Sequence, residues 1–219
     1  TALKWEKRAW EAGSQIAGDL IALAHLYGEY GFEKNEDSGI KYLSRLLKRD
    51  DPIASEILGS YYLEKYEELG FSDEADIYRE KGLELLKKAA VQGDSSASYS
   101  LGNYYFDVEN FKEALNWATL SMENGHEKAW KSVATLLLWE EQDFYNYKKG
   151  LNIVRSNTDD VNHFVTSLKN IGETLLFDLF SHSSSIAVLE PLLDEELLSM
   201  AELTDLDVLK IMYNLGEAY

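Results

Sequence analysis

Four histidines, His25, His126, His163 and His182, have the widest chemical repertoire in this sequence, because imidazole titrates near neutrality and ligates metals. They stand far apart, and none has a second ligand at the spacing a metal site requires. Cysteine is absent, which removes thiolate ligands, thiol nucleophiles and disulfides. Acid–base catalysis would need a carboxylate in a cleft beside a group that perturbs it. Glu67-Glu68, Glu140-Glu141 and Asp159-Asp160 are paired, but 39 acidic residues among 219 make such neighbours expected. No glycine-rich phosphate loop, Gly-x-Ser-x-Gly elbow or His-Glu-x-x-His helix occurs. The chain reads as non-enzymatic, without catalytic residues, cofactor or metal site.

The charge balance narrows the partners. A formal net charge of −18 disfavours nucleic acid, whose binding requires Lys and Arg to displace phosphate counterions, and disfavours anionic membrane surfaces. A basic partner would instead be steered toward the chain at low salt; the alternative is that the acidity serves solubility. No apolar run approaches the roughly 18 residues that span a bilayer, so no direct membrane insertion is expected. The opening Lys4-Trp5-Glu6-Lys7-Arg8 is not a signal-peptide pattern. The compartment is left open.

Any such side chains must be positioned by helices. Only Pro52 and Pro191 interrupt a composition rich in Leu, Ala, Glu and Lys, which favours helices joined by short loops. The pattern Ala-x-x-x-Leu-Gly-x-x-Tyr at Ala54, Leu58, Gly59 and Tyr62 returns at Ala97, Leu101, Gly102 and Tyr105. Looser copies are Ala129 with Val133-Ala134 and Leu137, Ser167 with Ile171-Gly172 and Leu175, and Ile211 with Leu215-Gly216 and Tyr219. An earlier copy is Leu23-Ala24 with Tyr27, although Ala17, Ile21 and Ala22 fit nearly as well. At about 100° per residue these positions share one helix face. The aliphatic residue, position i, fills a core, and the small residue at i+1 admits a neighbouring helix. Leu58, Gly59, Leu101, Gly102, Tyr105 and Ala114 are expected to be buried.

A second motif alternates with the first. It runs eleven residues from a small residue to a turn residue: Ala2 to Gly13, Gly39 to Asp50, Gly82 to Gly93 and Ala114 to Gly125. Such a segment suits a helix closed by Gly or Asp. The unit is therefore helix A, loop, helix B, short turn. Successive i positions at Leu23, Leu58, Leu101, Val133, Ile171 and Leu215 are 35, 43, 32, 38 and 44 residues apart. The long second step, at Glu64 to Asp76, is expected to lengthen helix A and its loop. The long fifth step contains Ser181-His182-Ser183-Ser184-Ser185, which reads as a flexible loop.

The paired motifs resemble the Sel-one-like repeat (SLR) family, a relative of the tetratricopeptide repeats. The best match is Ala97, Leu101, Gly102 and Tyr105 followed by Lys112, Ala114, Trp117 and Asn124-Gly125. The resemblance covers most of residues 1 to 132, while 133–219 are more divergent. The family's glycine pair in the A-to-B loop is barely visible. The resemblance implies an all-α fold, a right-handed α-α superhelical solenoid of antiparallel helix pairs, with residues 1–219 forming one array of about five to six units. Ala2 to Gly13 looks like a helix B without its helix A, and Tyr219 closes a helix A without its helix B. A piece of a longer array is the expectation.

The resemblance also implies that helix A lines a concave surface. Positions i−2 and i+2 lie about 200° from the core residue and should face a ligand there. They are Glu56 and Ser60, Tyr99 and Asn103, Lys131 and Thr135. In the later units they are Lys169 and Glu173, then Tyr213 and Glu217. This polar and aromatic lining suits a protein or peptide segment, and the alternative is that these are simply exposed residues. Lys128 and Lys210, five residues before Val133 and Leu215, join Lys131 and Lys169 in an expected lysine stripe that would receive an acidic or carboxylate-bearing segment. The functional expectation is a protein–protein interaction scaffold or adaptor. Its rival is an acidic inhibitor or immunity-type protein that binds a basic toxin or enzyme.

Overall fold

The structure is a computed structural model that describes residues 2–70, 72–139, 142–143, 145–159, 161–178 and 181–190. Among these the chain is helical, without strands. It divides into two compact units, residues 1–108 with 123–125 and residues 109–122 with 126–219.

In the first unit, α1 (Ala2–Glu11), α3 (Glu36–Leu47) and α5 (Asp73–Val91) are the B helices, and α2 (Gln15–Tyr27), α4 (Pro52–Leu69) and α6 (Ser95–Asp107) are the A helices. The turn from B to A is built the same way each time. Gly13, Asp50 and Gly93 take positive φ of 96°, 54° and 90°. The next residue donates its amide five residues back, Ser14 to Ala9, Asp51 to Leu46 and Asp94 to Ala89, and so satisfies a helix-terminal carbonyl. That same residue's side chain then caps the following helix: Ser14 accepts from the Ala17 amide, Asp51 from Ile53 and Ala54, and Asp94 from Ala97. One two-residue device closes helix B and opens helix A.

The A and B helices of a unit cross on their small residues. A Cβ at Gly59 would lie 3.0 Å from the Gly82 carbonyl oxygen, and one at Gly82 would lie 2.9 Å from that of Gly59. Leu86 covers Gly59 and Leu63 covers Gly82, a reciprocal packing that needs no side chain at the crossing itself. Gly39 meets Ala22 and Leu26 in the same register. Ala22 is therefore the counterpart of Gly59, which settles the phase of the first copy: Ile21, fully buried, takes position i, and Leu23 is only half-buried.

The second unit contains α7 (Phe111–Glu123), α8 (Ala129–Leu138), α9 (Tyr147–Ser156), α10 (Val161–Glu173), a π-helical turn (Thr174–Asp178) and α11 (His182–Leu189). Gly125 repeats the positive φ, at 87°, and His126 the amide bond five residues back, to Ser121. Gly150 meets Leu138 and Ala134, and Gly172 meets Leu189. The serine-rich stretch expected as a flexible loop is instead a helix B. Ser184 and Ser185 are buried there, and the Ser185 hydroxyl donates to the Gly172 carbonyl at 3.1 Å. Serine serves as the small residue of the crossing because its hydroxyl finds a backbone acceptor when buried.

Two further expectations need adjustment. Glu64 to Asp76 lengthens α4 and α5 to 18 and 19 residues and leaves only a short connection between them. Tyr105 is half-buried, its ring edge-to-face with Tyr104 at 5.3 Å between ring centroids. Leu58, Gly59, Leu101, Gly102 and Ala114 are buried as expected.

Candidate partner-binding surface

In the first unit the A helices are neighbours, joined by polar side chains. The Ser60 hydroxyl donates to the Glu56 carboxylate at 3.0 Å and lies 3.3 Å from the Ser100 hydroxyl on α6. Ser60 has one proton and spends it on Glu56, so Ser100 is the donor in the second bond. Burial pushes the Glu56 carboxyl above its ordinary value; the Ser60 bond opposes this, and the nearby charges of Asp94 and Glu64 reinforce it. Tyr27 on α2 donates to both oxygens of Glu64 on α4, at 3.0 and 2.9 Å. Burial, followed by this bond, raises the Tyr27 phenol.

The expected binding positions distribute as follows. Glu56, Ser60 and Tyr99 are half-buried and Asn103 is exposed. In the second unit Lys128 and Lys131 are exposed on α8, with the Lys131 ammonium 5.5 Å from the Trp130 ring centroid, while Lys169 and Glu173 on α10 are half-buried. Thr135 is buried, with 9% of its surface exposed. It is removed from any open face because α8 from Val133 to Leu138 is covered around its whole circumference. Lys210, Tyr213 and Glu217 lie outside the described residues.

Three of the histidines make local contacts. The His126 ring nitrogen accepts from the Lys128 amide at 3.3 Å, substituting for the side-chain cap that α8 lacks, and His163 lies 4.0 Å from Asp159 one turn earlier. His25 stacks on Tyr42 and meets Phe32 edge-on. Among the described residues no three His, Asp or Glu side chains cluster as metal ligands, and no helix is long and apolar enough to cross a membrane.

One aromatic cluster was not anticipated from the sequence, which offered Tyr27, Tyr62 and Tyr105 only as packing residues. Tyr27, Tyr61, Tyr62 and Tyr78 form a continuous run of ring contacts from α2 through α4 to α5. Arg79 caps the Tyr66 ring at 5.7 Å, and Lys87 lies 5.8 Å from the Tyr105 ring. The available signal was the Tyr-Tyr doublet at residues 61–62 and again at 104–105. In the first doublet Tyr61 is buried and Tyr62 half-buried, and in the second both rings are half-buried.

No family model and no curated protein matches the sequence. Solved structures do. The protective antigen c5321 of uropathogenic Escherichia coli, described as displaying an SLR fold, is similar with a TM-score of 0.60 at 16% identity, over 97% of this chain and 47% of that one. A Sel1 repeat protein from Oxalobacter formigenes is similar with a TM-score of 0.59 at 17% identity, over 87% of this chain and 78% of its own length. The chain thus spans just under half the length of the antigen. Repeated turns, small-residue crossings and these likenesses together establish an all-α helical repeat protein with the Sel-one-like repeat fold.

Proposed function

We propose that this chain is a protein-interaction scaffold without enzymatic activity, holding a segment of another protein along the concave, helix-A side of its repeats. The observation that carries this reading is the Glu56–Ser60–Ser100 hydrogen-bonded row across α4 and α6, on helices that also bear Tyr99 and Asn103. Polar groups held in place by one another lose little freedom when an extended segment binds, and tyrosine and asparagine offer that segment both contact area and hydrogen bonds. The test is site-specific photo-crosslinking from Ser60 and Asn103, with the exposed Glu84 of α5 as the helix-B control. Crosslinks to one partner segment from the helix-A positions alone support the reading; equal crosslinking from Glu84 overturns it.

The net charge of −18 favours a second reading, an acidic inhibitor or immunity-type protein with one basic enzymatic partner. That reading requires a tight complex whose association slows steeply with salt. A scaffold that reads a segment through hydrogen bonds and rings loses far less.

A further inference from the structure

A cavity of about 210 Å³ opens between α2 and α3, lined by His25, Ser38, Lys41, Tyr42 and Arg45. Every one of these side chains is a hydrogen-bond donor in at least one protonation state, and no carboxylate lines the wall. Lys41 and Arg45 are exposed and make no ion pair among the described residues. His25 lines the same cavity, while its Nδ1 is enclosed in the protein without a hydrogen-bond partner. The setting is unusual for this chain: between Asp37 and Asp50 the sequence carries Lys41, Arg45, Lys48 and Arg49 and no acidic residue, against a net charge of −18. Arg49 lies 5.6 Å from the Trp10 ring, and Lys7 of α1 lies 5.8 Å from the Phe32 ring that packs on His25.

We propose that this cavity receives a phosphate monoester, independently of the helix-A surface. Two cations with a hydroxyl, a phenol and an imidazole are more donors than a carboxylate can use, whereas a phosphate brings three strong acceptor oxygens and close to two negative charges. The Arg45 guanidinium supplies the planar fork that pairs two of those oxygens, and Lys41 supplies a point charge. The volume exceeds one phosphate group and leaves room for the stem that carries it.

The test titrates the intact chain with O-phosphoserine, inorganic phosphate and acetate at constant ionic strength, following the backbone amide resonances of residues 25 and 38–45. Saturable shifts with O-phosphoserine, at a dissociation constant on the order of 1 mM, and an at least ~tenfold weaker response to acetate are expected. Arg45→Ala and Lys41→Ala should each weaken phosphoserine binding about tenfold with an unchanged helical spectrum, since both side chains are exposed. Arg45→Lys should fall between wild type and Arg45→Ala, and Lys148→Ala in the second unit should bind as wild type does. Three results overturn the proposal: no saturable shift with O-phosphoserine, a response to acetate or inorganic phosphate equal to it, or unchanged binding by Arg45→Ala.

Discussion

Gly59 and Gly82 meet backbone to backbone where α4 crosses α5, each leaving less than a methyl group's room before the other's carbonyl oxygen. A Cβ at Gly82 would lie 2.9 Å from that oxygen, and a carbonyl within a helix cannot swing aside. Gly82→Ala is expected to force the helices apart and cost about 1–3 kcal/mol, read as a lower urea midpoint at unchanged slope.

Leu101 is the i residue of α6 and is fully buried. Leu101→Ala should cost about 2–5 kcal/mol, the transfer term plus the cavity left behind. A variant within half a kcal/mol of wild type in urea denaturation would contradict its place in the core.

Asp19 on α2 is 5% exposed, and its Oδ1 has no hydrogen-bond partner. Burial, with a smaller contribution from the Asp51 charge, raises its carboxyl from 3.8 to about 7. Between these values the folded chain holds a proton that the unfolded chain has released, so this group's stabilisation is complete below pH 3.8 and is lost as pH rises through about 7. Asp19→Asn should therefore stabilise the fold at pH 8 by about 1–3 kcal/mol. It should also remove that part of the stability change between pH 4 and 8. Thermal melts of both proteins across that range measure the difference.

Lys131 and Lys169 belong to the proposed lysine stripe on the helix-A side. Lys131 is exposed and Lys169 half-buried. A combined Lys131→Glu and Lys169→Glu variant should weaken partner binding at low salt and much less at high salt, the exposed Lys131 contact contributing about 0.2–1 kcal/mol. Unchanged affinity with an intact fold would remove the stripe from the binding surface.

The alternation of helices and the turn positions were legible because they depend on local chemistry. Gly13, Asp50, Gly93 and Gly125 were read as turn residues, and each takes a positive φ. Where sequence and structure differ, the missing information is a partner helix. Leu23 and Ile21 fit the same periodicity, and only the approach of Gly39 to Ala22 chooses between them. Ser181 to Ser185 has the composition of a loop, yet Ser185 is buried because Gly172 offers its carbonyl across the crossing.

By itself the sequence determined the all-helical class, the A and B identity of most helices, and the turns that join them, since capping, handedness and the 3.6-residue period act within a few residues of the chain. Tertiary structure alone decided which small residues meet, that Tyr61 is buried, that Thr135 is covered, and that Lys41 and Arg45 share a cavity with His25. Those outcomes depend on the distance between helices far apart in sequence, and that distance is set by packing volume.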